Sequence, residues 1–201
     1  MLRQIEQEIE EIEIAIAKVK TKLASVFLEY TQALAQTVQQ QLILSVFQLC
    51  THDRPEAFLS LSLSDRQKLQ KDLQILAKSA VENVNQVLGQ SDPSSLTDQE
   101  MVDRALTSAF LEVSHTANQL LVKANILKES DSEATKSEES KKIHLRPSEV
   151  EFTSRDVMSH RGELRVLSAK WHQLHSELEK KRQAKIVAEA EQAWRSTWME
   201  Q

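Results

Sequence analysis

Glu112-Val113-Ser114-His115 is the stretch of this 201-residue sequence that comes nearest to a metal-binding signature. A Glu and a His three apart share one face of a helix, as in di-iron bundles, where a second such pair and two inward glutamates complete the centre. No second Glu-x-x-His occurs here. His172 and His175 stand one turn apart, yet Glu179 is the only further ligand on that face, too few for a closed zinc site. Both read as solvent-facing imidazoles beside Trp171 and Leu174. His160 falls inside an apolar stripe, where a polar residue more often sets register than catalyses. Cys50 has no second cysteine to pair with and lies in the apolar run Leu42–Cys50, which implies a buried thiol rather than a nucleophile. There is no phosphate loop, dinucleotide fingerprint or nucleophile elbow. The expectation is a non-enzymatic protein with no catalytic residues, metal, cofactor or small-molecule substrate.

The elements that carry these residues are helical. Gly occurs twice and Pro three times, too rarely for hairpins, and aromatics make up 4% of the chain. The fold class predicted is all-α: a helical bundle with long, coiled-coil-like N- and C-terminal helices and a disordered linker. Leu2, Ile5, Ile9, Ile12, Ile16, Val19, Leu23, Val26, Tyr30 and Ala33 keep an unbroken 3-4 spacing, the seam of a coiled coil. Such a stripe requires a partner helix, from this chain or another. The first helix is expected from Leu2 to Cys50, about 70 Å at roughly 1.5 Å per residue. Its stripe widens from Val38 until residues 42–50 are apolar on nearly every side, which predicts burial among several neighbours.

Thr51 to Arg54 should break that helix, and Pro55 suits the first turn of a short segment, Glu56–Leu59. Ser64 with Gln67 makes a capping box for a helix burying Leu69, Leu73, Leu76, Ala80, Val84 and Val87. Gly89 is expected to end it in the left-handed conformation. After the loop 91–95, Thr97 and Glu100 make a second box for a helix with Val102, Leu106, Phe110, Val113, Ala117, Leu120 and Leu127 inward. Residues 128–142 are dense in Ser, Glu, Asp and Lys, and such a stretch buries too little to offset its ordering entropy. Residues 143–147 read as extended, because the residue before Pro147 avoids helical angles. Thr153 with Asp156 should cap the last helix, with Val157, Leu164, Leu167, Trp171, Leu174 and Leu178 on its stripe. Beyond Lys180-Lys181-Arg182 the stripe is expected to slip to Ile186, Ala190, Trp194 and Trp198. The domain reading is a coiled-coil helix over 1–33, a helical core over 34–127, an acidic, Ser-rich linker over 128–147 and a long helix over 148–201. The two striped helices are similar in length and suited to antiparallel packing within one chain.

Net charge is -5, and only residues 157–201 hold more basic than acidic side chains, which disfavours nucleic acid as a partner. All three tryptophans lie in that segment, and Trp194 and Trp198 stand one turn apart with Arg195 between them. Trp and Arg are favoured binding anchors, so Trp194, Arg195 and Trp198 are the candidate partner-binding residues, with capping of an internal bundle as the competing role. A membrane surface is the third option for this end, given Lys180, Lys181, Arg182 and Lys185 nearby. Glu189, Glu191 and Glu200 argue against acidic lipid. Residues 42–50 are about half the length needed to span a bilayer, and the glutamates at 6, 8, 10 and 11 do not suit a signal peptide. A cytoplasmic location, peripheral to a membrane at most, is therefore expected.

Gln40–Cys50 and Pro55–Ser62 resemble a family of uncharacterised cyanobacterial helical proteins. So do Glu149–Thr153, Arg161–Arg165 and Ala188–Arg195, and together these stretches cover about a quarter of the chain. The resemblance implies a cytoplasmic protein, with a thylakoid surface compatible, and brings no activity with it. The function expected is that of a coiled-coil adaptor or assembly protein binding a protein partner by helix packing, with self-association as one form. The alternative is a peripheral membrane-surface or nucleic-acid-associated protein using the basic, Trp-bearing C-terminal helix.

Overall fold

The computed structural model of the chain describes residues 2–89, 99–128 and 142–199. These residues are helical throughout apart from short connections, and none forms a strand, so the fold is all-α. The helices are α1 (Leu2–Gln48), α2 (Pro55–Ser60), α3 (Leu63–Gly89), α4 (Gln99–Lys123), α5 (Pro147–Thr153) and α6 (Arg155–Met199). No described helix is long and apolar enough to cross a membrane. The box expected at Thr97, the loop 91–95 and the linker residues 129–141 lie outside the described residues. The structure divides into two compact units, one of residues 28–160 and one of residues up to Phe27 together with those from Arg161 onward.

Within 28–160, α1 ends at Gln48 and loosens into a π-helical turn, Leu49–Asp53, closed by Arg54 N–H donating to the Leu49 carbonyl at 2.8 Å. The expected all-round burial of 42–50 is not found. Leu42, Val46, Leu49 and Cys50 point inward, while Ile43, Leu44 and Phe47 are exposed, because the neighbouring elements cover one side of this helix only. Pro55 opens α2 as its first residue. The cap of α3 sits two residues before the expected one: Ser62, not Ser64, accepts from Asp65 N–H at 3.1 Å and donates to the Asp65 carboxylate at 2.6 Å. Arg66 fixes that start by reaching back to the Phe58 and Leu59 carbonyls, its guanidinium 5.5 Å above the Phe58 ring. A basic side chain on the last carbonyls of α2 satisfies acceptors the helix leaves open.

Helix α3 packs along α4. Ala77 and Leu88, rather than Leu76 and Val87, join Leu69, Leu73, Ala80 and Val84 in the core. Gly89 does not adopt the left-handed conformation; among the described residues only Asn125 has positive φ, at 58°. That residue ends α4 four positions short of the expected Leu127. Asn125 N–H donates to Val122 O and Ile126 N–H to Leu121 O, each at 2.9 Å, a Schellman motif with Leu121 and Ile126 buried together. Leu121 therefore replaces Leu120 at the core.

Residues 143–146 are extended, as the proline predicts, and they form a strap held by α4. Asn118 uses both halves of its amide, accepting from Ile143 N–H and donating to Ile143 O, each at 2.9 Å. Ser114 Oγ accepts from Leu145 N–H at 3.0 Å. The Ile143 and Leu145 side chains of the strap are buried. Helix α5 follows, and its buried Glu151 accepts a hydrogen bond from the Tyr30 hydroxyl of α1 at 2.9 Å. Ser154, not Thr153, precedes α6 and accepts from Val157 N–H; the Thr153 hydroxyl donates to Val150 O instead. The terminal helical region is accordingly two helices that part at Ser154.

Candidate interaction surface

The second unit is an antiparallel pair formed by the first part of α1 and most of α6. Its polarity and register are read from four ion pairs. Lys22 meets Glu163 at 2.7 Å, Arg182 meets Glu13 at 3.0 Å, Lys181 meets Glu8 at 2.6 Å and Lys185 meets Glu6 at 2.8 Å. Inside them run the seam side chains. Ile12, Val19, Leu23 and Val26 are buried, and Leu2, Ile5, Ile9 and Ile16 are half-buried. The last two seam members belong to the other unit, where Tyr30 is buried and Ala33 half-buried. His160, in that unit too, lies half-buried with Nδ1 3.6 Å from the Glu29 carboxylate, a polar contact between α1 and α6.

The α6 stripe does not slip. Leu164, Leu167 and Leu178 are buried and Trp171 and Leu174 half-buried, and the same 3-4 rhythm continues through Lys181, Lys185 and Ala188, all half-buried. The lysine stems cover apolar surface while the ammonium groups reach the α1 carboxylates. The hydrogen bond to Lys185 and its charge hold the Glu6 carboxyl below its usual range. Hydrogen bonding to Glu8 and Glu6, reinforced by their charge, raises Lys181 and Lys185 respectively. Of the basic cluster, Lys181, Arg182 and Lys185 are thus engaged by α1 carboxylates.

Because the rhythm holds, Ile186, Ala190, Trp194 and Trp198 turn outward, the opposite of the expected stripe. Ile186 is 57% exposed, Trp194 65% and Trp198 69%. They form one strip with the exposed Val187, and the two indoles lie 5.7 Å apart at 35°, stacked on each other rather than on a bundle. Lys185 is level with Glu6, one turn after Leu2, so residues 190–199 extend past the described part of α1. Arg195 pairs with Glu191 at 3.4 Å on one flank of the strip. The competing expectation, that Trp194 and Trp198 cap an internal bundle, is overturned by this exposure.

The other expected candidates are placed singly. His115 is exposed and accepts from the Gln119 amide at 2.8 Å, and Glu112 is exposed one turn before it. His175 donates from Nδ1 to Trp171 O at 2.9 Å and lies against the Trp171 ring, whose edge also meets His172. Among the described residues no three His, Cys, Asp or Glu side chains are grouped to hold a metal.

Two concavities in the 28–160 unit have no counterpart in the sequence reading. A groove of about 380 Å³ is lined by Ile43, Phe47, Cys50, Phe58, Leu69 and Leu73. Cys50 is buried at its edge, and desolvation pushes its thiol up to about 11. A cleft of about 510 Å³ beside the strap is lined by polar groups including Asp53, His115, His144 and Arg146. The signal for the groove was present in the unbroken apolar run at 42–44, which leaves outward residues on any helix covered on one side. The cleft depends on a strap that no local pattern announces. No protein family, curated protein or solved structure matches this chain.

Proposed function

We propose that this chain is a non-enzymatic, coiled-coil adaptor or assembly protein that binds a protein partner through the projecting end of α6. The observation that carries the reading is the exposed, mutually stacked pair Trp194 and Trp198 on a helix segment that runs past its described partner. Two large indoles in water are unfavourable by the free energy of their apolar surface, and docking removes that surface. A helix end of this kind presents anchors at i and i+4, the spacing by which a helix lies in an apolar groove. The ion pairs of Lys181, Arg182 and Lys185 support a protein over a membrane or nucleic acid, because the charge those partners need is already matched. Glu189 and Glu191 beside the strip act in the same sense. A cytoplasmic location belongs to this proposal.

Capture from the native cell with wild-type and Trp194→Ala/Trp198→Ala protein tests it. The expected result is loss of the specific partner with an unchanged melting temperature, since neither indole contributes to a core. Undiminished capture by the double variant refutes the reading. A much lower melting temperature would return the indoles to the interior.

A further inference from the structure

The exposed strip on α6 is complementary to itself. Ile186, Ala190, Trp194 and Trp198 are spaced by four, so they lie along one i±4 ridge of the helix. Ridges of this type interdigitate when two helices cross at about -50°. We propose that the strip is a homodimerisation site, occupied by the same strip of a second copy, with the two α6 ends antiparallel about a two-fold axis midway between Ala190 and Trp194. The inference rests on the reading of this end as a docking surface and names its partner.

Two features favour this occupant and this direction, and a third sets the strength of the contact. The first is size. The two-fold sets each Trp194 against the Ala190 of the other copy and each Trp198 against its Ile186, so a large side chain meets a smaller one at every step. A parallel pair in register would oppose indole to indole and alanine to alanine, leaving overpacked steps beside a void.

The second is charge. Arg195 and Glu191 share one flank of the strip, where they pair at 3.4 Å. Antiparallel packing brings like flank to like flank, and about this two-fold each Arg195 lies about two positions along the axis from the other copy's Glu191, so each arginine can pair across the interface, the flank reading Arg, Glu, Glu, Arg along its length. Their present pairing is solvent-exposed and weak, and is readily rearranged.

The third is area. A fully buried Trp covers about 150–250 Å². At the exposures found here, the two indoles with Ile186 and Val187 offer on the order of 450 Å² per copy, about 900 Å² in all. That falls below the roughly 1,200–2,000 Å² of stable complexes. The dimer is therefore weak and concentration-dependent, as suits a contact made and released during assembly.

Sedimentation velocity of the full chain between about 1 µM and about 1 mM reads the association directly. Wild-type protein should shift from monomer to dimer across that range, and W194A/W198A should remain monomeric throughout. Arg195→Glu and Glu191→Lys act at exposed positions and leave folding intact, which melting curves check. Each variant alone should lose the dimer, because its flank carries one sign, and an equimolar mixture should regain it by pairing opposite flanks. Wild-type protein that stays monomeric at the highest concentration overturns the proposal. The docking reading then stands or falls separately by capture from the cell. A dimer that survives removal of both indoles, or mixed charge variants that fail to associate, overturns it as well. So does a monomeric chain whose indoles engage anionic vesicles instead.

Discussion

Replacing Asn118 with alanine should release the strap. The side chain makes two hydrogen bonds to the main chain of Ile143, one in each direction, both at 2.9 Å. A neutral hydrogen bond contributes about 0.5–1.5 kcal/mol net, and a buried partner left unpaired costs about 1–3 kcal/mol. Ile143 is buried, but the adjoining cleft of about 510 Å³ can admit water to the abandoned groups, so the lower part of that range applies. The expected loss is about 2 kcal/mol, or roughly 4–8 °C in melting temperature for a chain of this size. Ser114→Ala removes a single bond to Leu145 N–H and should cost about 1 kcal/mol. Amide hydrogen exchange separates a local from a global effect. Protection at Ile143 and Leu145 should collapse in the Asn118 variant while amides in the middle of α3 and α4 stay slow. Unchanged protection at Ile143, or an unchanged melting temperature, would refute the claim that α4 holds the strap through this side chain.

Tyr30→Phe deletes the donor to the buried Glu151 and should destabilise by about 1.5 kcal/mol in urea titration, near the low end for a hydrogen bond to a carboxylate; no change would remove that bond from the account. Cys50 should react with a thiol reagent at pH 8 at least about a hundredfold more slowly in the native protein than in denaturant, because only the thiolate attacks. Equal rates would mean the thiol is solvated. The α1–α6 pair should lose stability at both extremes of pH. Glu6 titrates below its unfolded value, so its contribution is complete above about pH 4.3 and fades as pH falls through the folded value. Lys181 and Lys185 titrate above theirs, so their contribution is complete below about pH 10.4 and fades as pH rises through the folded values. Melting curves against pH, with salt near 1 M flattening both limbs, check this; a profile indifferent to salt would argue against the ion pairs.

The seam of α1 was legible because its 3-4 spacing is a one-dimensional signal, and every member from Leu2 to Ala33 is at least half-buried. The continuation of α6 was misread for a physical reason. After Leu178 two courses are open, one through Lys181 and Lys185 and one through Ile186, Ala190 and Trp194. Hydrophobicity favours the second, and the α1 carboxylates Glu8 and Glu6, 173 and 179 positions from Lys181 and Lys185, decide for the first. The Trp-Arg-Trp cluster could be located by its residue types, whereas its outward direction depended on that same choice. Ser62 and Ser64 are comparable caps in sequence; Arg66, reaching back to two carbonyls of α2, distinguishes them. The strap was legible only as an extended segment before Pro147. Its anchors are 25 and 31 residues away on α4, where Asn118 and Ser114 look like ordinary helix polar residues.

The pairing of Glu8 with Lys181 spans 173 residues, so the two sides of the α1–α6 seam are made far apart in time during synthesis. At about 5–20 residues per second, the N-terminal isoleucines wait on the order of 10–35 s for the helix that covers them. During that interval Ile9, Ile12 and Ile16 are an adhesive stripe on a nascent chain, and neighbouring chains on one message carry the same stripe. Glu6, Glu8 and Glu13 beside it repel a parallel, in-register copy and attract only the lysines and arginine still to come. The acidic border of α1 therefore makes an in-register copy a poor cover for this stripe and the basic course of α6 a good one.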